Sequence, residues 1–195
     1  MTQNAVPSAD VSAGSWTTAP LWSKVDEIPA SDTDFIALAN NTTGACRVGT
    51  LKTTGGGAIS DPFVHTNHVL RMRGKRTGSK TTTIVTSLYQ GTTLIASFSQ
   101  NLASSFTDYS YTLTETQAGN ITNYTDLRID VNCSASGSNN APNISAVSLD
   151  VPDVAAINGS LSKSLDSLTQ SLAGAVAIAG GVNQPLGGCG LVSVR

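Results

Sequence analysis

Few residues in this chain could do chemistry, and their spacing does not favour it. The only histidines are His65 and His68, in Asp61-Pro62-Phe63-Val64-His65-Thr66-Asn67-His68. An aspartate with two imidazoles has the right donor types for a transition metal. However, an i, i+3 pair in a loop ahead of a strand fixes no coordination geometry, so both are expected to be ordinary loop histidines. No other histidine exists to serve a Ser-His-Asp triad, and no GxSxG elbow is present. Carboxylates gather at Asp26, Glu27, Asp32 and Asp34. Paired carboxylates run glycoside hydrolysis and, at EF-hand spacing, hold calcium. That spacing is missing, and the surrounding turn residues predict a solvated acidic turn. Gly55-Gly56-Gly57 is not followed by Lys-Ser/Thr, so it is no phosphate loop. Cys46, Cys133 and Cys189 make neither a CxxC pair nor a metal spacing. Cys133 falls on the inward side of its strand, which predicts a buried free thiol. Cys189, in Gly187-Gly188-Cys189-Gly190, is expected to be exposed. The expectation is no catalytic residue, no cofactor and no metal, hence not an enzyme.

The elements that must position any site are strands. Thr82 to Tyr89 is β-branched and aromatic, and Gln90-Gly91-Thr92-Thr93 reads as a tight turn. Leu94, Ala96 and Phe98 then alternate with Ile95, Ser97 and Ser99. Tyr109, Tyr111 and Leu113 alternate with Ser110 and Thr112, and Leu127, Ile129, Val131 and Cys133 with Arg128, Asp130 and Asn132. Period-two patterning buries one face of each strand. Short turns between such strands build an antiparallel sandwich. Leu127, Ile129 and Val131 are expected inside, joined by Leu88, Leu113 and Phe98. Shorter strands are read at Phe35 to Leu38, Cys46 to Gly49, Val69 to Arg73 and Ile144 to Val151. Residues 1–15 read as polar and irregular, and Lys52 to Ser60 as a loop. Thr114 to Ile121 reads as one helical turn with a Thr-x-x-Gln capping box.

Composition supports this reading and excludes others. Charged residues are 12% of the 195, about half the usual share. Ser, Thr, Asn and Gly make up about two-fifths of the chain, a mix that suits the turns and wet faces of β-proteins. The net charge is −2, which gives no electrostatic case for nucleic acid or an anionic membrane. Arg71 and Arg73 share one strand face, opposite Leu70 and Met72, and read as solvated. No secretory signal or membrane-spanning run is expected.

From Asp153 the period changes. Val154, Ile157, Leu161, Leu165, Leu168, Leu172 and Val176 recur at helical spacing, with Ser160 as N-cap, before a Gly-rich end. Two regions follow: 1–152, a sandwich with an N-terminal arm, and 153–195, a helical and Gly-rich assembly arm. The fold class expected from the pattern is all-β, an antiparallel sandwich with a C-terminal helical and extended arm. Leu161, Leu165, Leu168, Leu172 and Val176 are the expected assembly contacts.

Several segments resemble a domain recurrent in structural proteins of tailed bacteriophages. They are Ala9-Asp10-Val11-Ser12-Ala13-Gly14-Ser15-Trp16-Thr17, Val25-Asp26-Glu27, Asp32-Thr33-Asp34-Phe35-Ile36, His68-Val69-Leu70-Arg71-Met72-Arg73, Gln90-Gly91-Thr92-Thr93-Leu94-Ile95-Ala96-Ser97 and Asn123-Tyr124-Thr125-Asp126-Leu127-Arg128. The likeness spans about residues 9–150 and implies a jelly-roll-like sandwich used as a virion surface or connector module, assembled in the host cytoplasm. The resemblance implies other virion proteins and copies of this chain as partners, in a homo-oligomer. The leading expectation is a non-enzymatic protein that decorates, cements or sheathes the particle at the head surface, neck, collar or tail. The alternative is a glycan-binding or receptor-binding module of a phage fibre or surface, with Trp16, Trp22, Tyr89, Tyr109, Tyr111 and Tyr124 as candidate platforms.

Overall fold

The computed structural model describes residues 2–17, 19–40, 42–135 and 140–153. The chain divides into two compact units, Met1–Val154 and Ala155–Arg195. The second unit lies outside the described residues. With it go the expected assembly contacts Leu161, Leu165, Leu168, Leu172 and Val176, and Cys189.

The described residues form twelve strands. The first six are β1 (Thr2–Val6), β2 (Ala9–Ser12), β3 (Trp16–Thr17), β4 (Ile36–Leu38), β5 (Gly44–Gly49) and β6 (Lys52–Thr53). The longer ones follow: β7 (Val69–Arg76), β8 (Thr82–Gln90), β9 (Thr93–Asn101), β10 (Thr107–Thr112), β11 (Leu127–Ala135) and β12 (Pro142–Pro152). A one-turn helix, α1 (Glu115–Gly119), joins β10 to the approach to β11. One sheet runs β10-β7-β12-β1-β6, with β4 paired to β12 and β3 to β4; the other runs β2-β5-β11-β8-β9. Every strand pair is antiparallel. The chain repeatedly crosses between layers, giving the antiparallel sandwich that the strand pattern predicts and the jelly-roll-like form that the resemblance implies.

The core lies between the sheets. Leu127, Ile129, Val131 and Cys133 of β11 are buried, with Leu88, Phe98 and Leu113 beside them. From the opposite sheet come Leu70, Met72, Val147 and Leu149. The layers touch at Thr86, whose Oγ1 donates to the Met72 sulfur at 3.2 Å. Gly74 marks a close approach: a Cβ there would sit 2.6 Å from Ile144 and 3.0 Å from the Asn143 carbonyl. The β8–β9 hairpin turns at Gly91, whose φ of 58° suits the first central position of a primed turn. The capping box forms: Gln117 N–H donates to Thr114 Oγ1 at 3.2 Å, and Thr114 N–H to Gln117 Oε1 at 2.9 Å.

Three expectations of secondary structure need correction, the smallest being the loop read over Lys52 to Ser60, whose first two residues pair with β1 as β6. Residues 1–15 are not irregular, since β1 sits between β12 and β6 and β2 extends the other sheet beside β5. Polar strands of this kind carry no hydrophobic alternation, and long-range pairing holds them. Gln3 ties the N-terminus further, donating from Nε2 to the Ser60 carbonyl at 3.0 Å and accepting from its N–H at 2.9 Å. The remaining correction is at Leu94. A bulge between Leu88 and Tyr89 on the partner register inserts one residue into β9. Ile95 therefore turns inward and Leu94 is 52% exposed, opposite to strict alternation.

Candidate functional site

Strand alternation puts Leu70 and Met72 inside and Arg71 and Arg73 on the outer face of β7. The register brings matching polar residues alongside. Ser110 and Asp108 of β10 lie opposite Arg71 and Arg73, and Ser148 and Ala146 of β12 flank the same pair. Asp150 follows on β12, next to Asn4 of β1. One wall is the turn Glu27-Ile28-Pro29-Ala30, whose Ile28–Pro29 peptide is cis. Together these residues enclose a trough of about 490 Å³ on the outer face of the sheet.

Ion pairs organise its floor. Arg71 Nε donates to Asp150 Oδ2 at 2.6 Å. Arg73 grips Asp32 with two prongs, Nε to Oδ1 and Nη2 to Oδ2, both at 2.8 Å, and its Nη1 lies 3.1 Å from Asp108 Oδ2. These hydrogen bonds hold the Asp32 carboxyl below its ordinary value and push the Arg73 guanidinium up. The expected solvated basic face is thus a paired one, and Asp32 belongs to it. These bonds fix the planar groups in orientation.

The acidic turn also departs from the solvated picture. Lys24 Nζ pairs with Asp34 at 2.9 Å. Burial raises the Asp26 and Glu27 carboxyls, with neighbouring carboxylates adding to the shift. Glu27 Oε2 is buried and, among the described residues, has no hydrogen-bond partner. Ile28 is 44% exposed and with Pro29 gives the wall an apolar strip.

The residues singled out for chemistry do not converge. His65 and Asp61 are exposed, whereas His68, in the loop just ahead of β7 as expected, is fully buried. Its Nε2 lies 2.8 Å from Tyr124 Oη and its Nδ1 3.2 Å from the Thr66 carbonyl. Burial lowers the His68 pKa and pushes the Tyr124 phenol up to about 12. The pair is a neutral, internally satisfied bridge. Among the described residues no group of three His, Cys, Asp or Glu is placed to hold a metal ion. Cys46 and Cys133 are buried free thiols raised by burial to about 12 and about 11, forms that do not act as nucleophiles near neutrality.

Of the candidate aromatic platforms, Trp16 and Tyr124 are buried. Trp22, Tyr109 and Tyr111 pack partly on the core. Tyr109 reaches the trough, and its hydroxyl accepts from Ala103 N–H at 2.8 Å. Tyr89 lies on the other sheet under the Arg47 guanidinium, 4.1 Å from the ring centre. A shallower hollow of about 230 Å³ adjoins Arg47 and Asp130 there.

No protein-family model matches the chain, and no curated protein does. Among solved structures it is similar to one described as "CBM4 structure and function", at 18% identity over 62% of this chain and 80% of that one, with a TM-score of 0.35. It is also similar to CBM29_1, a family 29 carbohydrate-binding module from Piromyces equi, at 16% identity over 77% of this chain and 85% of that one, with a TM-score of 0.40.

Proposed function

We propose that the sandwich is a non-catalytic glycan-binding module and that the trough over β7, β10, β12 and β1 is its binding face. One observation carries this reading: a concave, open site built on rigid strands and floored by planar polar groups already locked in orientation by one another. Sugars present adjacent hydroxyls, each able to donate and accept. Carboxylate, amide and guanidinium groups match such pairs, and groups held in place before binding lose little freedom on contact. The Ile28–Pro29 strip supplies apolar surface for a sugar's C–H face. Among the lining residues Glu27, Asp108 and Asp150 outnumber Arg71 and Arg73, so a neutral or amino sugar suits the trough better than an acidic one.

The sequence resemblance over about 9–150 supports a setting on a phage fibre or virion surface, and that setting is part of the proposal. Decoration or cementing of the particle, the leading expectation from sequence, depends on the terminal arm, which lies outside the described residues. The trough is the feature that favours glycan binding over it.

Screening the purified protein against immobilised neutral, amino and acidic glycans tests the reading. Binding to a neutral or amino glycan that is lost in Arg71→Ala and kept in Arg128→Ala, on the opposite sheet, is the expected result. Absence of binding across all three classes sinks it, as does binding that Arg71→Ala leaves intact.

A further inference from the structure

Among the described residues the sandwich has several sheet edges, and most are blunted. β6 is two residues long. β2 has four and a register break. β10 carries Asp108, engaged with Arg73. β9 differs: nine residues, Thr93–Asn101, with no charged residue and no proline. Folded proteins normally protect such an edge with charge, proline or a cover, because its outward N–H and C=O groups template another strand.

The hydrogen-bond phase shows which groups point outward. Leu102 N–H donates to the Thr82 carbonyl at 2.9 Å, and the register places Asn101 opposite Thr83. In an antiparallel ladder, pairs alternate between those that exchange both bonds and those that exchange none. Gln100, Phe98 and Ala96 therefore bond to β8. Ser97, Ser99 and Asn101 aim their backbone groups away from the sheet. The Asn101 carbonyl takes a hydrogen bond from Tyr109 Oη at 3.4 Å, which leaves Ser97 and Ser99 as the open stretch. Both side chains are exposed.

We propose that two copies of this chain join antiparallel through β9, about a two-fold axis at Phe98, to make one continuous sheet. A second copy is the occupant that this strand favours. It carries no charge to attract a charged peptide, and against itself it meets no like charge. About that axis Ser97 faces Ser99 of the second copy, and the two exchange backbone bonds in both directions. Phe98 comes beside its own equivalent, an aromatic cross-strand pair. The trough lies on the other sheet, so the inference is independent of the glycan reading.

Sedimentation equilibrium of the full chain over a wide concentration range tests it. Ser97→Pro removes one outward N–H and costs nothing in the β8 ladder, since proline is tolerated where an edge N–H faces away. Ser99→Lys sets new positive charge at the axis. The expected result is a concentration-dependent dimer in the wild type. Both variants should be monomeric with unchanged far-UV circular dichroism. A wild type that stays monomeric throughout overturns the proposal, and so does association that persists undiminished in both variants.

Discussion

Arg73 and Asp32 stand 41 residues apart in the chain and meet in a two-pronged ion pair, both contacts at 2.8 Å. This pair staples the acidic turn to the floor of the trough. Asp32→Asn should loosen that segment, and amide exchange across residues 26–34 should quicken while exchange in β11 does not change. Because hydrogen bonding from Arg73 depresses the Asp32 carboxyl, its contribution is present above the unfolded value of about 3.9 and lost as pH falls through the lower folded value. Uniform quickening across both sheets would show instead that the pair supports the whole fold.

Glu27 works in the opposite sense. Burial raises its carboxyl, so keeping it charged weakens the folded state above its folded pKa, and the penalty fades as pH drops to the unfolded value near about 4.3. Glu27→Gln should raise Tm at neutral pH. The gain should shrink toward pH ~4, as thermal melts at a series of pH values can show.

The β9 bulge predicts a sharp asymmetry between neighbours. Ile95 is buried and Leu94 is 52% exposed. Ile95→Ala should cost about 2–5 kcal/mol, as truncation of a buried Ile does. Leu94→Ala should stay within about 0.5 kcal/mol. Ile129→Ala, at the centre of β11 and fully buried, belongs with the first group. Denaturant melts read all three, and a costly Leu94→Ala would contradict the bulged register.

Tyr124→Phe removes the hydroxyl that meets His68 Nε2 inside the protein. Leaving that nitrogen unpartnered should cost about 1–3 kcal/mol. His68 has a lowered pKa, so the unfolded chain takes up its proton first, and stability falls as pH drops below about 6.5. His68→Phe should flatten that part of the pH profile, whatever it does to absolute stability.

In the trough, Asp150→Ala removes the partner of Arg71 Nε and a ready-made acceptor. Loss of one charge-assisted hydrogen bond is worth about 1.5–3 kcal/mol, so titration calorimetry with a glycan identified by screening should show affinity down about tenfold or more.

The strands from Thr82 to Cys133 were legible because each buries one face, and the inward set of β11 follows directly from alternation. The same rule misplaced Leu94, since one inserted residue reverses a period-two pattern without leaving a compositional mark. β1 and β2 were hidden because pairing with β12 and β5, not apolar periodicity, makes them strands. The trough was half visible: Arg71 and Arg73 plainly share a face. Their partners, Asp150, Asp32 and Asp108, come from three separate segments that only the folded topology unites. The burial of the loop residue His68 was hidden because nothing local reveals that Tyr124, 56 positions later, closes over it.

Cys46 on β5 and Cys133 on β11 are sealed between the layers, and burial holds both as protonated thiols. An alkylating reagent can reach either one only after β5 and β11 part, so the rate of labelling counts opening events of this sheet. The sandwich thus contains an internal clock for local unfolding, one that reads ligand protection or edge pairing at Cys46 and Cys133 without any engineered residue.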